Sequence, residues 1–284
     1  MKKYALVTGG SMGIGKALAA ELASRGHHIV LVALDSPELY ETASFLQKKF
    51  EVDVQTIAED LTSKDGPLRI FETCKSRDLN VNILINNAGT GNSGLFEENR
   101  LEEYLNIIDL NNRAMVQMTY HFIRDLKNQE QAFILNTSSM EATLPLPYKA
   151  VYTATKNFIY AFSVALNEEL KHNSNVKVSV LCPGSVITNA AGNERIKAQG
   201  AKSKIIILSA EKVAAIAIKG LFKGKRMIIP GVGPWFIVRA MGLLPDSLKL
   251  KILEKIFRAY KDTGTLSKTA EKESGRLEIE NTRS

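Results

Sequence analysis

Tyr4-Ala-Leu-Val-Thr8, Gly9-Gly-Ser-Met-Gly13-Ile-Gly15 and Lys16-Ala-Leu-Ala-Ala-Glu-Leu22 follow one another without a break. The first residues are an apolar run of strand length. Glycines interrupt it, and a helical period begins at once, with Ile14, Leu18 and Leu22 four apart on one face. Strand, glycine turn and helix start in that order make an anion site. The N–H groups of a first helical turn are unpaired and point outward, and the helix dipole favours negative charge there. Glycines at 9, 13 and 15 permit a tight turn, a close approach of backbone to a pyrophosphate, and close packing of helix on strand. An ordinary glycine-rich turn has the same composition; the placement directly between a strand and a helix favours dinucleotide binding.

Outward from this stretch the chain alternates strand and helix. His28–Ala33 reads as a buried strand, Ser36-Pro37 as a helix start running to about Phe50, and Val52–Ile57 as a third strand ending at Asp60-Leu61-Thr62. A helix from about Asp65 to Arg77 precedes a fourth strand, Val81–Ile85, which closes on Asn86-Asn-Ala-Gly89. Leu101 to about Leu126 reads as one long helix with Leu101, Leu105 and Ile108 on a face; Ala132–Thr137 is a strand ending at Ser138-Ser139. Tyr152 to about His172 is a helix, Val176–Leu181 a strand, Ala210–Phe222 a helix and Arg226–Pro230 a last strand. Such alternation implies right-handed crossovers and an α/β fold, a doubly wound parallel sheet with helices on both faces. A dinucleotide would lie at the switch point between strands one and four.

The 284 residues, 45% of them hydrophobic, are enough to bury a full core in one domain. Cys74 and Cys182 are the only cysteines, so neither a disulfide framework nor a zinc spacing can be built, and no metal is expected. No stretch approaches the length of a membrane span, and the apolar run after Lys2-Lys3 is too short for a signal peptide. The expected location is cytoplasmic. The net charge of +7 is uneven: residues 1–194 carry 18 basic and 22 acidic side chains, and residues 195–284 carry 19 and 8. No nucleic-acid-binding motif accompanies that basic third, so no nucleic-acid partner is expected.

Tyr152-Thr-Ala-Thr-Lys156 puts a phenol and an ammonium one helical turn apart, on one face. A neighbouring cation favours the phenolate, which makes Tyr152 a usable general acid/base. The pair also arises by accident, and a lone serine such as Ser139 at a strand end is usually structural; the combination is more specific. Thr8-Gly9-x-x-x-Gly13-x-Gly15, Asn86-Asn-Ala-Gly89, Ser139, Tyr152-x-x-x-Lys156 and Pro183-Gly184-x-x-x-Thr188 occur in this order. From Lys2 to about Pro230 the sequence resembles the short-chain dehydrogenase/reductase family.

The resemblance implies a Rossmann-type sheet and an NAD(P)-dependent oxidoreductase acting on CH–OH and C=O groups, here reducing a ketone or 3-oxoacyl group of a hydrophobic substrate. It implies that Tyr152 exchanges the proton with the substrate oxygen and that Lys156 lowers the tyrosine and holds the nicotinamide ribose. It further implies that Ser139 hydrogen-bonds the substrate oxygen and that Asn111 supports the lysine through a water. Cofactor contacts are implied at Gly9, Ser11, Gly13, Ile14, Gly15, Ala33, Asp60 (adenine), Leu61, Asn87, Ala88 and Gly89. They are also implied at Tyr152, Lys156, Pro183, Gly184, Val186 and Thr188, whose hydroxyl anchors the carboxamide. The cofactor carries the hydride while the protein positions it and handles one proton.

Two residues depart from the family pattern: Ala114 where glycine is common, and Glu141 where a small residue is frequent. Glu141 is read as a solvated loop carboxylate; facing the pocket it would disfavour anionic groups. At the end of strand two, Ala33 stands where NAD-preferring members carry an acid, so NADP is favoured over NAD. Leu34 and Met12 lack the basic marks of NADP preference, Lys16 is a candidate phosphate partner, and Asp35 argues the other way. The alternative function is a dinucleotide-sensing regulatory protein, against which the intact Asn111–Ser139–Tyr152–Lys156 set argues.

Residues 1–231 are read as the catalytic domain, 232–261 as a basic amphipathic helical extension and 262–284 as a mobile polar tail. Leu248, Ile252, Leu253, Ile256, Phe257 and Tyr260 form one helical stripe opposite Lys249, Lys251, Glu254, Lys255, Arg258 and Lys261. That stripe suits either the enzyme's own pocket, a partner subunit, or peripheral contact of 235–261 with a membrane, and points to a lipid-like substrate. The long helices at 101–126 and 152–172 are expected to pair between subunits in a homodimer or homotetramer.

Overall fold

The computed structural model describes residues 2–172, 174–184, 186–187 and 208–261. Its strands are β1 (Lys3–Thr8), β2 (His28–Ala33), β3 (Val54–Ala58), β4 (Asn80–Asn86), β5 (Ala132–Thr137), β6 (Val176–Leu181), β7 (Val186–Ile187), β8 (Leu208–Ser209) and β9 (Met227–Ile228). Seven form one sheet in the order β3-β2-β1-β4-β5-β6-β9, every pairing parallel, and β7 pairs with β8 beside it. The helices are α1 (Gly13–Ala23), α2 (Pro37–Phe50), α3 (Gly66–Ser76), α4 (Leu101–Ile108), α5 (Ala114–Lys127), α6 (Ala150–Leu170), α7 (Ala210–Phe222), α8 (Val232–Gly242) and α9 (Asp246–Phe257).

Side chains that alternate along each strand sort into two cores, one on each face of the sheet. Ala5, Val7, Ile29 and Leu31 pack with Leu18 and Leu22 of α1, Leu39 and Leu46 of α2 and Val213 of α7. Tyr4, Leu6, Val30 and Val32 pack with Ile70 of α3 and Met118, Phe122 and Leu126 of α5. Burial on both faces is why these strands read as unbroken apolar runs. The doubly wound sheet and its β1/β4 switch point are as the sequence implied, and β2, β5, β6 and α7 have the bounds read from it.

Four readings need correction. The third strand runs Val54–Ala58, its pairing with β2 beginning at Val54 opposite Ile29, with Val52 buried ahead of it. The last strand shrinks to Met227–Ile228, with Pro230 lacking a donor to extend it. The helix at 101–126 is not continuous: a π-helical turn, Asp109–Arg113, joins α4 to α5. The wider turn lets two adjacent asparagines face inward, Asn111 bonding Thr90 and Thr155, and Asn112 donating to the Thr155 carbonyl at 3.0 Å. The C-terminal stripe is divided as well. Leu253 and Phe257 pack on Leu144, Leu146 and Met241, whereas Leu248 and Ile256 of the same helix are exposed.

Candidate active site

The end of β5 and the start of α6 are tied together by two bonds. Ser138 Oγ donates to the Lys156 carbonyl at 2.7 Å, and Lys156 Nζ donates to the Thr137 carbonyl at 3.1 Å. Ser139 is extended (φ −153°), and its hydroxyl accepts the Glu141 N–H at 3.1 Å, capping a short 3₁₀ turn, Met140–Thr143. Ser139 therefore enters the site with its orientation set by the turn it caps. Tyr152, one turn before Lys156, presses its ring on Gly91; a Cβ at that glycine would lie 2.4 Å from Tyr152 Cδ2. Any side chain at 91 would displace the phenol.

Lys156 and Asn111 are both buried against Gly89, whose added Cβ would stand 2.9 Å from Asn111 Oδ1 and 3.3 Å from Lys156 Nζ. Asn111 accepts the Thr90 N–H and donates to the Thr90 carbonyl, both at 2.9 Å, so it clamps the loop that follows β4. Burial lowers the Lys156 ammonium to about 8. Burial also raises the Tyr152 phenol above its usual value; the Glu141 charge adds to this and a hydrogen bond with Ser139 opposes it. The expected lowering of the tyrosine by Lys156 does not appear in the protein alone, where desolvation dominates. Cys182, beside Lys156, is pushed up to about 12 by burial and stays a neutral thiol.

The glycine turn forms a cradle open at a helix N-terminus. Gly9 and Gly13 have φ of 63° and 57°, and α1 begins at Gly13 with no side chain capping it. A Cβ at Gly15 would sit 2.0 Å from the Gly9 carbonyl oxygen, so only glycine allows this approach. Thr8 Oγ1 accepts the N–H groups of Asn87 (3.0 Å) and Ala88 (3.1 Å), and Asn87 Nδ2 donates back to the Thr8 carbonyl at 3.1 Å. The ends of β1 and β4 are stapled at the switch point, which gives a dinucleotide a fixed floor. This cradle and its uncapped N–H groups fit a pyrophosphate.

A family model described as short chain dehydrogenase matches residues 3–199. The chain belongs to the short-chain dehydrogenase family. It is 35% identical over 205 residues to the very-long-chain 3-oxoacyl-CoA reductase of Bos taurus, covering 68% of this chain and 62% of that protein. It is 34% identical over 192 residues to the human 17-beta-hydroxysteroid dehydrogenase type 3, covering 66% of this chain and 60% of that protein. The chain thus matches less than two thirds of the length of these two relatives. A crystal structure of L-sorbose reductase from Gluconobacter frateurii with NADPH and L-sorbose superposes with a TM-score of 0.72 at 28% identity, over 81% of this chain and 95% of that one.

In this short-chain dehydrogenase the other expected contacts fall unevenly. Ser11 lies in the cradle, its carbonyl accepting Thr42 Oγ1 at 2.8 Å; Ile14 is half-buried on the first turn of α1. Ala33 ends β2 half-buried, next to exposed Leu34, and the neighbouring Asp35 accepts the Tyr40 hydroxyl at 2.8 Å. Asp60 spends its carboxylate on Thr62, N–H and hydroxyl, while Leu61 is a core residue. Pro183 accepts the Met140 N–H, and Gly184 and Val186 follow β6; Thr188, most of the stretch 188–209 and the tail 262–284 lie outside the described residues. Lys16 holds its ammonium 5.4 Å from the Phe45 ring centroid.

Glu141 is not the solvated carboxylate expected. It pairs with Lys149 at 3.2 Å, with side chains only 20% and 16% exposed. Gly91, Thr90, Thr155 and Lys149 are the residues that sequence reasoning missed. Gly91 left a signal, a second glycine two after Gly89; the others are ordinary residues whose role appears only when distant segments meet.

Proposed function

We propose that this short-chain dehydrogenase uses a nicotinamide dinucleotide to reduce a ketone or 3-oxoacyl group of a hydrophobic substrate. Supporting this is one arrangement: Asn111 and Lys156 meet at Gly89, Tyr152 lies on Gly91 two residues further along the same loop, and Ser139 hydrogen-bonds the Tyr152 phenol. The bound dinucleotide supplies the hydride. Tyr152 holds the proton at its Oη and gives it to the substrate oxygen, to which the Ser139 hydroxyl also hydrogen-bonds. Lys156 holds the ribose hydroxyls with its ammonium. Asn111 keeps the Thr90 loop against the site and supports the lysine through a water. Residues 1–231 act in this reading as the catalytic unit and 232–261 as its extension.

The test is reduction of a panel of ketones and of short- and long-chain 3-oxoacyl thioesters with NADPH and NADH. Turnover of a long-chain thioester is expected. Tight cofactor binding with no carbonyl reduced would favour the dinucleotide-sensing alternative.

NADP is the proposed cofactor, since no carboxylate at position 33 opposes a 2′-phosphate. NADPH should bind at least as tightly as NADH. Ala33→Asp should weaken NADPH by about ten-fold through charge repulsion, with NADH little changed. Fluorescence titration checks this, and clearly tighter NADH binding by the wild type sinks it.

The outward face of α8 and α9 is proposed to touch a membrane surface. Phe236 is 61% exposed, Leu243 87% and Ile256 60%, alongside Trp235 and Leu248, and exposed Arg239, Lys251 and Lys255 supply cations. Among the described residues no helix is long and apolar enough to cross a membrane. Each lysine near an anionic bilayer contributes about 1 kcal/mol, so the contact is reversible and salt-sensitive. Flotation with phosphatidylglycerol vesicles is expected at low salt, falling at high salt and in Phe236→Glu/Leu243→Glu. No flotation at low salt discards the idea. A second copy is the proposed partner of the exposed Leu101, Leu105 and Ile108 face of α4, which sedimentation reads as a dimer or tetramer rather than a monomer.

A further inference from the structure

Lys149 is the N-cap residue of α6, three residues before Tyr152. Its ammonium contacts both carboxylate oxygens of Glu141, at 3.2 and 3.4 Å. Three aromatic rings surround it: Tyr260 at 4.7 Å, Phe257 at 5.3 Å and Tyr152 itself at 5.8 Å, each measured to the ring centroid. Phe257 ends α9 and Tyr260 lies in the 3₁₀ turn Arg258–Tyr260 that follows it, more than a hundred residues further along the chain. That helix is docked on the same spot by two other contacts: Leu253 is buried against Leu144 and Leu146, and the Tyr148 hydroxyl donates to Glu254 at 3.0 Å.

We propose that Lys149 is a positioning residue for Tyr152: its ammonium cancels the Glu141 charge beside the phenol, and the rings of Phe257 and Tyr260 hold it there. The inference rests on Tyr152 being the proton donor. The backbone of Glu141 is fixed, because its N–H is bonded to the Ser139 hydroxyl in the turn that Ser139 caps, and Lys149 holds its carboxylate in place. A carboxylate fixed there opposes formation of a phenolate at Tyr152, as its effect on that phenol shows. The ion pair is largely shielded from solvent, so the compensation is not lost to screening as at an open surface. Aromatic faces attract an ammonium, which gives α9 a direct hold on the pair. The other charged groups at this spot are Glu254 of α9 and Arg258 just after it, paired with each other at 2.8 Å, Lys261 beyond them, and Lys156 one turn along α6 from Tyr152. None of these replaces Lys149 as the partner of Glu141 among the described residues. The C-terminal helix thereby acts on the proton donor without touching substrate.

The experiment compares wild type, Lys149→Met, Glu141→Gln, the Glu141→Gln/Lys149→Met double variant and Phe257→Leu/Tyr260→Leu. Two readouts are taken. One is the pH profile of kcat/KM for oxidation of the N-acetylcysteamine thioester of 3-hydroxydodecanoic acid, which needs the phenolate. The other is tyrosinate absorbance during alkaline titration of the NADP⁺ complex, taken as the difference from Tyr152→Phe, which needs no turnover. Lys149→Met should move the tyrosine midpoint up by about one pH unit, and Glu141→Gln should move it down. The double variant should return close to the wild-type value, because the two opposite charges act together on the phenol and are removed together. Phe257→Leu/Tyr260→Leu should shift it in the Lys149→Met direction by less. The same midpoint in Lys149→Met as in wild type overturns the inference, and an unmoved midpoint in the ring variant removes α9 from it. Loss of the Tyr152 assignment itself has a different mark, undiminished turnover by Tyr152→Phe.

Discussion

Tyr152→Phe is expected to lower carbonyl reduction by about 10²–10⁴-fold, with dinucleotide affinity within a few-fold of wild type. The substitution removes one oxygen and leaves the ring on Gly91, so the packing that seats residue 152 survives. Ser139 and Lys156 keep their own bonds to Glu141 and Thr137 in the variant. What disappears is the proton that must reach the substrate oxygen. Steady-state kinetics beside a cofactor titration separate the two effects, and comparable rates from both proteins would sink the mechanism. The pH profile has a definite sign. Burial keeps the Tyr152 phenol protonated over the working range, so the donor is present for reduction throughout. The Lys156 ammonium, lowered to about 8 from 10.5, is charged below that value and neutral above it. The kcat/KM for reduction should therefore fall as pH rises through about 8, and a limb near the ordinary lysine value would contradict this.

Gly15→Ala should weaken dinucleotide binding at least ten-fold and cost about 1–3 kcal/mol of stability, the usual range for overpacking. The added methyl would lie 2.0 Å from the Gly9 carbonyl oxygen and 2.6 Å from Asn87 Nδ2. Neither is the free end of a flexible side chain. The Gly9 carbonyl belongs to the turn, and Asn87 is the staple between β1 and β4, so relief must open the cradle itself. Gly242→Ala is the control, because a methyl there meets nothing within 4 Å. Thermal melts and NADPH titration of both variants check the contrast; equal behaviour would mean that the close approach at Gly15 is not needed.

The layered fold was readable because strands buried on both faces carry apolar runs, as Tyr4–Val7, Ile29–Ala33 and Ala132–Leu135 do. Much of the site was readable for a related reason: glycines in the first turn and a phenol four residues before a lysine are demands of backbone space and helix geometry, which leave local traces. What lay hidden depends on contacts between distant segments. The π turn at Asp109–Arg113 forms because Asn111 and Asn112 find partners at Thr90 and Thr155, and no periodicity announces that. The stripe on α9 looked uniform because a helix period cannot say that Leu253 meets Leu144 while Ile256 meets solvent. Glu141 read as a solvated loop acid for the same reason, since Lys149 reaches it only once the turn after β5 folds against the start of α6.

The most direct test of Tyr152-dependent carbonyl reduction is isotope transfer from NADPH deuterated at its transferable position to a long-chain 3-oxoacyl thioester, read by mass spectrometry of the hydroxyacyl product. Wild type should give product carrying the deuterium at the new carbinol carbon, and Tyr152→Phe almost none over the same interval. Absence of labelled product from wild type that binds NADPH, or equal labelling by the two proteins, would contradict the assignment.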